Sequence, residues 1–294
     1  MITARTEVFA LIGDPVEKSL SPVMYNAAFR FFEMDSVYVA LRVPPSSLRE
    51  AVSGMRAMGI KGFNVTHPHK TKILRLLDGL DQSAEEVGAV NTVRRVGNKL
   101  VGFNTDGQGA IKFLKEEIGS LKGKKVVILG AGGAARALAF TLAREGANLT
   151  IANRTVSKAR RLVSELEGIE VELSWCGLER RVLRKILKEA DVLVNATPVG
   201  MGGRETLVRS DMMDSSLFVF DLIYYPLETA LMREARKAGA KAVNGLGMLI
   251  NQAVLAFKIF TGKDVPPRVL KEAVRLQLGK IGVNYPSLKD GLAG

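Results

Sequence analysis

Three glycines carry the clearest chemistry in this chain. Gly130, Gly132 and Gly133 follow the apolar run VVIL at 126–129 and open GAGGAARALAFTLAREG, which reads as a helix. The pattern is a shortened relative of G-x-G-x-x-G, with Ala131 and Ala134 between and beside the glycines and Ala135 in the last position. Glycine is needed where such a turn is tight and where a pyrophosphate approaches the backbone; the opening amides of the helix then hold the phosphates. A strand before, a helix after and a second strand, NLTIAN at 148–153, supply the βαβ context the pattern requires. The bland alternative is a Gly-rich turn that packs closely on its neighbour.

The end of that second strand selects the dinucleotide. An NAD site wants a carboxylate there for the ribose hydroxyls. Here the residues are Asn153-Arg154-Thr155, with Lys158 one helical turn on. No acid is present and two cations are. A guanidinium meets a 2′-phosphate with a bidentate, charge-assisted fork, so NADP is expected.

A second set of polar residues lies nearer the start of the chain: Gly13-Asp14-Pro15 with Ser19-Leu20-Ser21-Pro22, then Asn64 to Lys70, then Asn91-Thr92 and Asn104-Thr105-Asp106. Taken singly they are turn formers, with Ser21 as a helix N-cap before Pro22. Together they put Ser, Asn, Thr, Lys and Asp at strand ends, where sites in open α/β sheets collect. Lys70 reads as the first residue of a helix over 70–77, a place the helix dipole makes unfavourable for a cation, which itself suggests use.

These residues need elements to hold them. Residues 8–12 and 61–65 read as strands. So do 90–96 and 99–103, joined at Gly97-Asn98 as a hairpin. Helices are expected after Ser21, over 46–58 and over 106–118. Apolar runs at 126–129, 148–153, 192–197 and 217–223, with amphipathic stretches between, make 107–242 a doubly wound parallel sheet. After 243 the pattern is helical.

The remaining composition narrows the classes. The 294 residues carry a net charge of +12, about half of it between 107 and 242. The cations alternate with acids, as in LERRVLRKILKEAD, and no basic run exceeds two residues, so nucleic acid is not the expected partner. No apolar run has the length of a membrane span, and the N-terminal stretch meets Asp14 too soon for a signal peptide. The single cysteine, Cys176, excludes an internal disulfide and suits a reducing cytoplasm. His67 and His69, two apart around a proline, do not make a zinc set, so no metal is expected. Trp175 and Cys176 read as packing residues.

The motifs together resemble the shikimate dehydrogenase family over nearly the whole chain. The resemblance is carried by SLSP at 19–22, NVTHPHK at 64–70, GAVNT at 88–92, NTDG at 104–107, GAGGA at 130–134, NRT at 153–155, NATPVGM at 195–201, DLIYYPLET at 221–229 and GLGMLINQA at 245–253. It implies reversible NADPH-dependent reduction of 3-dehydroshikimate to shikimate in aromatic amino-acid biosynthesis. It also implies a Rossmann domain over 107–242 inserted into a substrate domain made from 1–106 and 243–294. Ser19 and Ser21 would hold the substrate carboxylate. Thr66, Asn91, Asp106 and Gln252 would bind ring hydroxyls, Lys70 would sit beside the reacting oxygen, and Tyr224 would add a contact. Gly245 and Met248 would lie near the nicotinamide, and Asn195 to Met201, Thr197 among them, would line the cofactor cleft. One departure is Asn251, where an aromatic or apolar residue is expected in some relatives.

The chemistry is coherent. Hydride delivery to a ketone leaves negative charge on oxygen, and a proton donor with a positive charge beside it lowers the barrier. Lys70 supplies both, with Asp106 to orient it. A free lysine titrates near about 10.4, so the two are treated as one acid/base unit. The nearest rival is a quinate/shikimate dehydrogenase of broader choice. Quinate carries an extra hydroxyl on the carboxylate-bearing carbon, and a Thr at position 19 or 21 would favour it; two serines favour shikimate. A non-catalytic NADPH-binding or nucleic-acid-binding protein is the rival from another class. A monomer or homodimer is expected.

Overall fold

A computed structural model describes residues 2–280 and residue 282. The chain divides into two compact units. The first comprises the residues up to Glu85, Val90–Thr105 and those from Gln252; the second is Glu86–Ala89 and Asp106–Asn251.

The first unit opens with β1 (Glu7–Gly13), α1 (Ser21–Phe31), β2 (Ser36–Arg42), α2 (Leu48–Ala57) and β3 (Gly62–Val65). Then come β4 (Gly79–Leu80), α3 (Gln82–Val87), β5 (Thr92–Val96) and β6 (Lys99–Phe103), with α3 crossing into the second unit at its end. The strands form one mixed sheet in the order β2-β1-β3-β5-β6-β4. β1 lies parallel to both its neighbours, which suits its run of buried apolar residues. The hairpin of β5 and β6 turns at Gly97-Asn98 as the sequence implies, with Gly97 at φ 59°.

Two local expectations are corrected. Ser21 is not an N-cap: it is the first helical residue, Leu20 caps, and Pro22 falls in the first turn, where its missing N–H costs nothing. The Ser19 hydroxyl instead accepts from the Ser21 amide at 3.2 Å. Residues 70–77 form no α-helix. A 3-10 turn covers Ile73–Leu76, and the chain then extends. The Asp78 and Asp81 amides bond to the Leu100 and Gly102 carbonyls, so pairing beside β6 takes the segment that a helix would need. Lys70 therefore opens no α-helix, and the dipole argument drawn from that position falls.

The second unit runs α4 (Asp106–Ile118), β7 (Lys125–Leu129), α5 (Gly133–Arg144), β8 (Asn148–Ala152), α6 (Val156–Ser164), β9 (Leu173–Cys176) and α7 (Arg180–Leu187). It continues through β10 (Val192–Asn195), β11 (Phe218–Asp221), α8 (Ala230–Lys237), β12 (Lys241–Asn244) and the start of α9 (Leu246–Thr261). Its sheet, β12-β11-β10-β7-β8-β9, is parallel throughout. The order places β7 at the centre and reverses the direction of growth between β7 and β10. This is the Rossmann arrangement, and ligands of such sheets bind outside the strand carboxyl ends at that switch point. Two buried clusters cover the sheet, one around Ile128, Leu138, Ile151 and Val194, the other around Leu129, Leu183, Leu193 and Val219.

The rest of α9 and α10 (Pro267–Lys280) belong to the first unit. There Phe257 and Phe260 of α9 join an aromatic layer with Phe9, Tyr25 and Phe29. Gly62 is required at this contact, because a Cβ there would stand 2.6 Å from the Phe260 ring. Trp175 is not a core residue: it lies on the sheet edge in β9, 44% exposed, with the Arg160 guanidinium 5.9 Å from its ring centre.

Candidate active site

The loop after β7 is shaped by closeness on one side and openness on the other. Gly130 has φ 111°, and a Cβ there would meet the Ala196 carbonyl oxygen at 3.0 Å. A Cβ on Gly132 would meet nothing within 4 Å. Gly132 is also the N-cap of α5 and contributes no capping side chain, so the opening amides face outward without one. The loop therefore fits an anionic group. At the end of β8 the Asn153 amide donates to the Thr155 carbonyl at 2.9 Å and sets the turn into α6. Arg154 and Lys158 are exposed, and among the described residues no carboxylate pairs with either. A 2′-phosphate fits this pair of cations.

Next to β7, the loop after β10 is held by side chains. The Asn195 oxygen accepts from the Thr197 amide at 3.1 Å and from its hydroxyl at 2.7 Å. Tyr224 follows β11 and is half-buried. Gly245 is forced by backbone proximity, since a Cβ there would lie 2.1 Å from the Leu222 carbonyl oxygen. Met248 is buried in the core of the second unit beside Phe113 and Phe220.

In the first unit the polar residues form a buried cluster. The Asn91 amide donates to the Thr105 hydroxyl at 2.8 Å and to the Gln252 carbonyl at 3.3 Å, and its oxygen accepts from the Thr105 amide at 2.9 Å. The Thr105 hydroxyl reaches Gln252 as well, at 3.3 Å. Beneath it Asn64 donates to the Asn91 carbonyl and the Thr92 hydroxyl and accepts from the Tyr38 hydroxyl at 2.7 Å. Three strand ends and one helix are thus tied at Asn91.

Lys70 lies in the turn after β3 and is half-buried; its carbonyl accepts from the Val90 amide at 2.8 Å, next to Asn91. Thr66, also half-buried, pairs its amide with the Ile12 carbonyl. Asp106 opens α4 directly after Thr105 and is 5% exposed. Ser21 is buried and Ser19 half-buried. His69 is fully buried, its Nε2 2.7 Å from the Val43 carbonyl, so it braces the Lys70 turn from inside. Burial pushes the His67 imidazole below its ordinary range, and His69 and Lys70 push the same way. Among the described residues no group of His, Cys, Asp or Glu is arranged to hold a metal.

Three family profiles match this chain: a shikimate dehydrogenase substrate binding domain over residues 11–93, shikimate / quinate 5-dehydrogenase over 112–223, and a shikimate 5′-dehydrogenase C-terminal domain over 245–275. A shikimate dehydrogenase (NADP(+)) of Methanopyrus kandleri is 50% identical over 279 residues, 93% of this chain and 96% of that one. The chain belongs to the shikimate dehydrogenase family. Two solved members of the family share the fold. One, in complex with NADP+, has a TM-score of 0.84 at 46% identity and covers 94% of this chain and 97% of its own. The other, from Thermus thermophilus in complex with NADP(H) and shikimate, has a TM-score of 0.82 at 36% identity and covers 92% and 99%.

Sequence reasoning gave no role to several residues that build the site of this family member. Asn64, Thr105 and Asp221 stand inside the motifs, yet their work depends on partners far along the chain. Tyr38 lies in β2, a strand that local reading did not identify. The available signal was an Asn, Thr or Asp closing an apolar strand, where a buried polar group must find partners.

Proposed function

We propose that this protein catalyses the reversible reduction of 3-dehydroshikimate to shikimate with NADPH, a step of aromatic amino-acid biosynthesis. One observation carries the reading. A chain matched almost end to end by an NADP(+) shikimate dehydrogenase carries two cations without a carboxylate partner among the described residues, where its fold would meet a 2′-phosphate.

The unit built from Glu86–Ala89 and Asp106–Asn251 serves as the NADP domain, and the other unit serves as the substrate domain. Bound at the loop after β7, NADPH supplies the hydride. Gly130 to Ala134 cradle its pyrophosphate, Asn153, Arg154, Thr155 and Lys158 take the adenosine phosphate end, and Thr197, Gly245 and Met248 flank the nicotinamide end. Ser19 and Ser21 hold the substrate carboxylate through their hydroxyls. Thr66, Asn91, Asp106 and Gln252 orient the ring hydroxyls, and Tyr224 adds a substrate contact. Lys70 and Asp106 act as one acid/base unit: the lysine places positive charge beside the oxygen that gains electrons, and the pair delivers its proton. The Val90 amide holds the Lys70 carbonyl and the Asn91 bonds hold Thr105, so the turn that carries Lys70 and the strand end before Asp106 are each fixed. We place the enzyme in the cytoplasm as a monomer or homodimer with small-molecule ligands only, and with no nucleic-acid or membrane partner.

Initial rates of NADP+ reduction by shikimate, with quinate and NAD+ run alongside, test the reading. It expects the shikimate and NADP+ pairing to exceed each alternative at least about tenfold, a difference of about 1.4 kcal/mol. Comparable rates in all pairings would move the protein to the broad quinate/shikimate class, and no rate from folded protein would end the proposal.

A further inference from the structure

Asp221 is the last residue of β11, fully buried, and among the described residues no cation pairs with it. A carboxylate in such a place is costly unless it is hydrogen-bonded throughout. It is. Its Oδ1 accepts from the Asn195 amide at 2.9 Å and the Ile223 amide at 3.1 Å, and its Oδ2 accepts from the Thr229 hydroxyl at 2.6 Å. Burial pushes its carboxyl above the ordinary range, and these bonds oppose that.

The partners belong to two loops. Asn195 closes β10 and arranges the loop that follows it. Its oxygen takes both the amide and the hydroxyl of Thr197, and its amide also donates to the Val199 carbonyl at 3.1 Å. Thr229 closes the loop that holds Tyr224 and caps α8 by accepting from the Met232 amide. Gly200 seals the pair. It sits at φ 111°, and a Cβ there would lie 3.3 Å from Ile223 and 3.7 Å from Thr229. Both loops follow the carboxyl ends of adjacent parallel strands, the ligand side of such a sheet.

Only an acceptor-only group satisfies this arrangement. All three neighbours donate. An amide at 221 would turn its NH2 either toward Asn195, giving two opposed donors, or toward Thr229, whose hydroxyl proton would lose its acceptor.

We propose that Asp221 is a positioning residue that fixes the Thr197 loop and the Tyr224 loop against each other, and so sets cofactor and substrate affinity together. This rests on the reading of those loops as cofactor and substrate contacts. The test uses full-length Asp221→Asn, Thr229→Val and Thr229→Ser. NADP+ affinity is measured by calorimetry and KM for shikimate by initial rates, each well below the variant's own Tm. Asp221→Asn and Thr229→Val are expected to weaken NADP+ binding roughly tenfold and to raise KM for shikimate severalfold, the size of one misdirected buried hydrogen bond. Thr229→Ser keeps the hydroxyl and is expected to restore both constants. A merely structural role would lower Tm and leave both constants within twofold of wild type, which would overturn the proposal. If Asp221→Asn does not fold, Thr229→Val against Thr229→Ser decides it. Wild-type protein that takes up no NADP+ would instead sink the functional reading itself.

Discussion

In the loop after β7 no side chain caps the opening of α5, and a Cβ on Gly132 would face open space. In the cluster around Asn91, amides and hydroxyls bond to one another, from Tyr38 through Asn64 to Thr105 and Gln252. The first region offers backbone to a ligand and keeps side chains away. The second spends side chains on holding its own geometry. Recognition of a phosphate thus asks for a local pattern. Recognition of a ring with several hydroxyls asks for groups pinned from distant parts of the chain, because a misplaced donor costs as much as a missing one.

The contrast can be broken at several points. Lys70→Ala removes the reacting group and leaves the Asn91 cluster in place. Turnover should fall by about 10²–10⁴-fold with KM for shikimate changed only severalfold, as steady-state kinetics will read. Turnover near wild type would remove Lys70 from the chemistry. Arg154→Gln should weaken NADP+ by about 10–100-fold and leave NAD+ nearly unchanged, as the loss of a charge-assisted bond predicts. Equal losses for both cofactors would argue that Arg154 shapes the loop instead. Gly132→Val sharpens the comparison. Gly132 has φ −87°, which valine tolerates, so Tm should hardly move while NADP+ affinity drops roughly tenfold. A fall in Tm without a change in affinity would mean that the loop is built by packing, like the cluster.

The smallest effect lies in α8. Glu234 accepts from Lys237 at 2.7 Å and from the Ser210 amide at 2.9 Å, and these bonds, the Lys237 bond first, hold its carboxyl down to about 2 from 4.5. Its folded-state value is depressed, so its contribution to stability is present above 4.5 and is lost as pH falls toward about 2. In thermal melts against pH, Glu234→Gln should be slightly less stable than wild type near neutrality and should converge with it at the acid end. A constant gap across that range would separate the residue from the titration.

The βαβ core was legible because its signals are local: an apolar run, three glycines, a helix and a second apolar run. The hairpin at Gly97-Asn98 was legible for the same reason. The segment 70–77 was misread because its helical spacing is overridden by pairing of the next residues beside β6. β2, β4, β9 and β12 went unread: β2 lies at a sheet edge with Tyr38 its one buried residue, and the others are four residues or shorter. The site residues were visible as types at strand ends, but their wiring was not. Asn91 meets Gln252 across 161 positions, and Asp221 needs both Asn195 and Thr229 before its burial makes sense.

Hydride transfer between the nicotinamide and the ring carbon is the claim on which the rest depends. Incubating the protein with 3-dehydroshikimate and NADPH carrying deuterium at both C4 positions, then weighing the product by mass spectrometry, tests it directly. Shikimate carrying deuterium on the reduced carbon is the predicted result. Unlabelled shikimate, or folded protein that forms none, would contradict it.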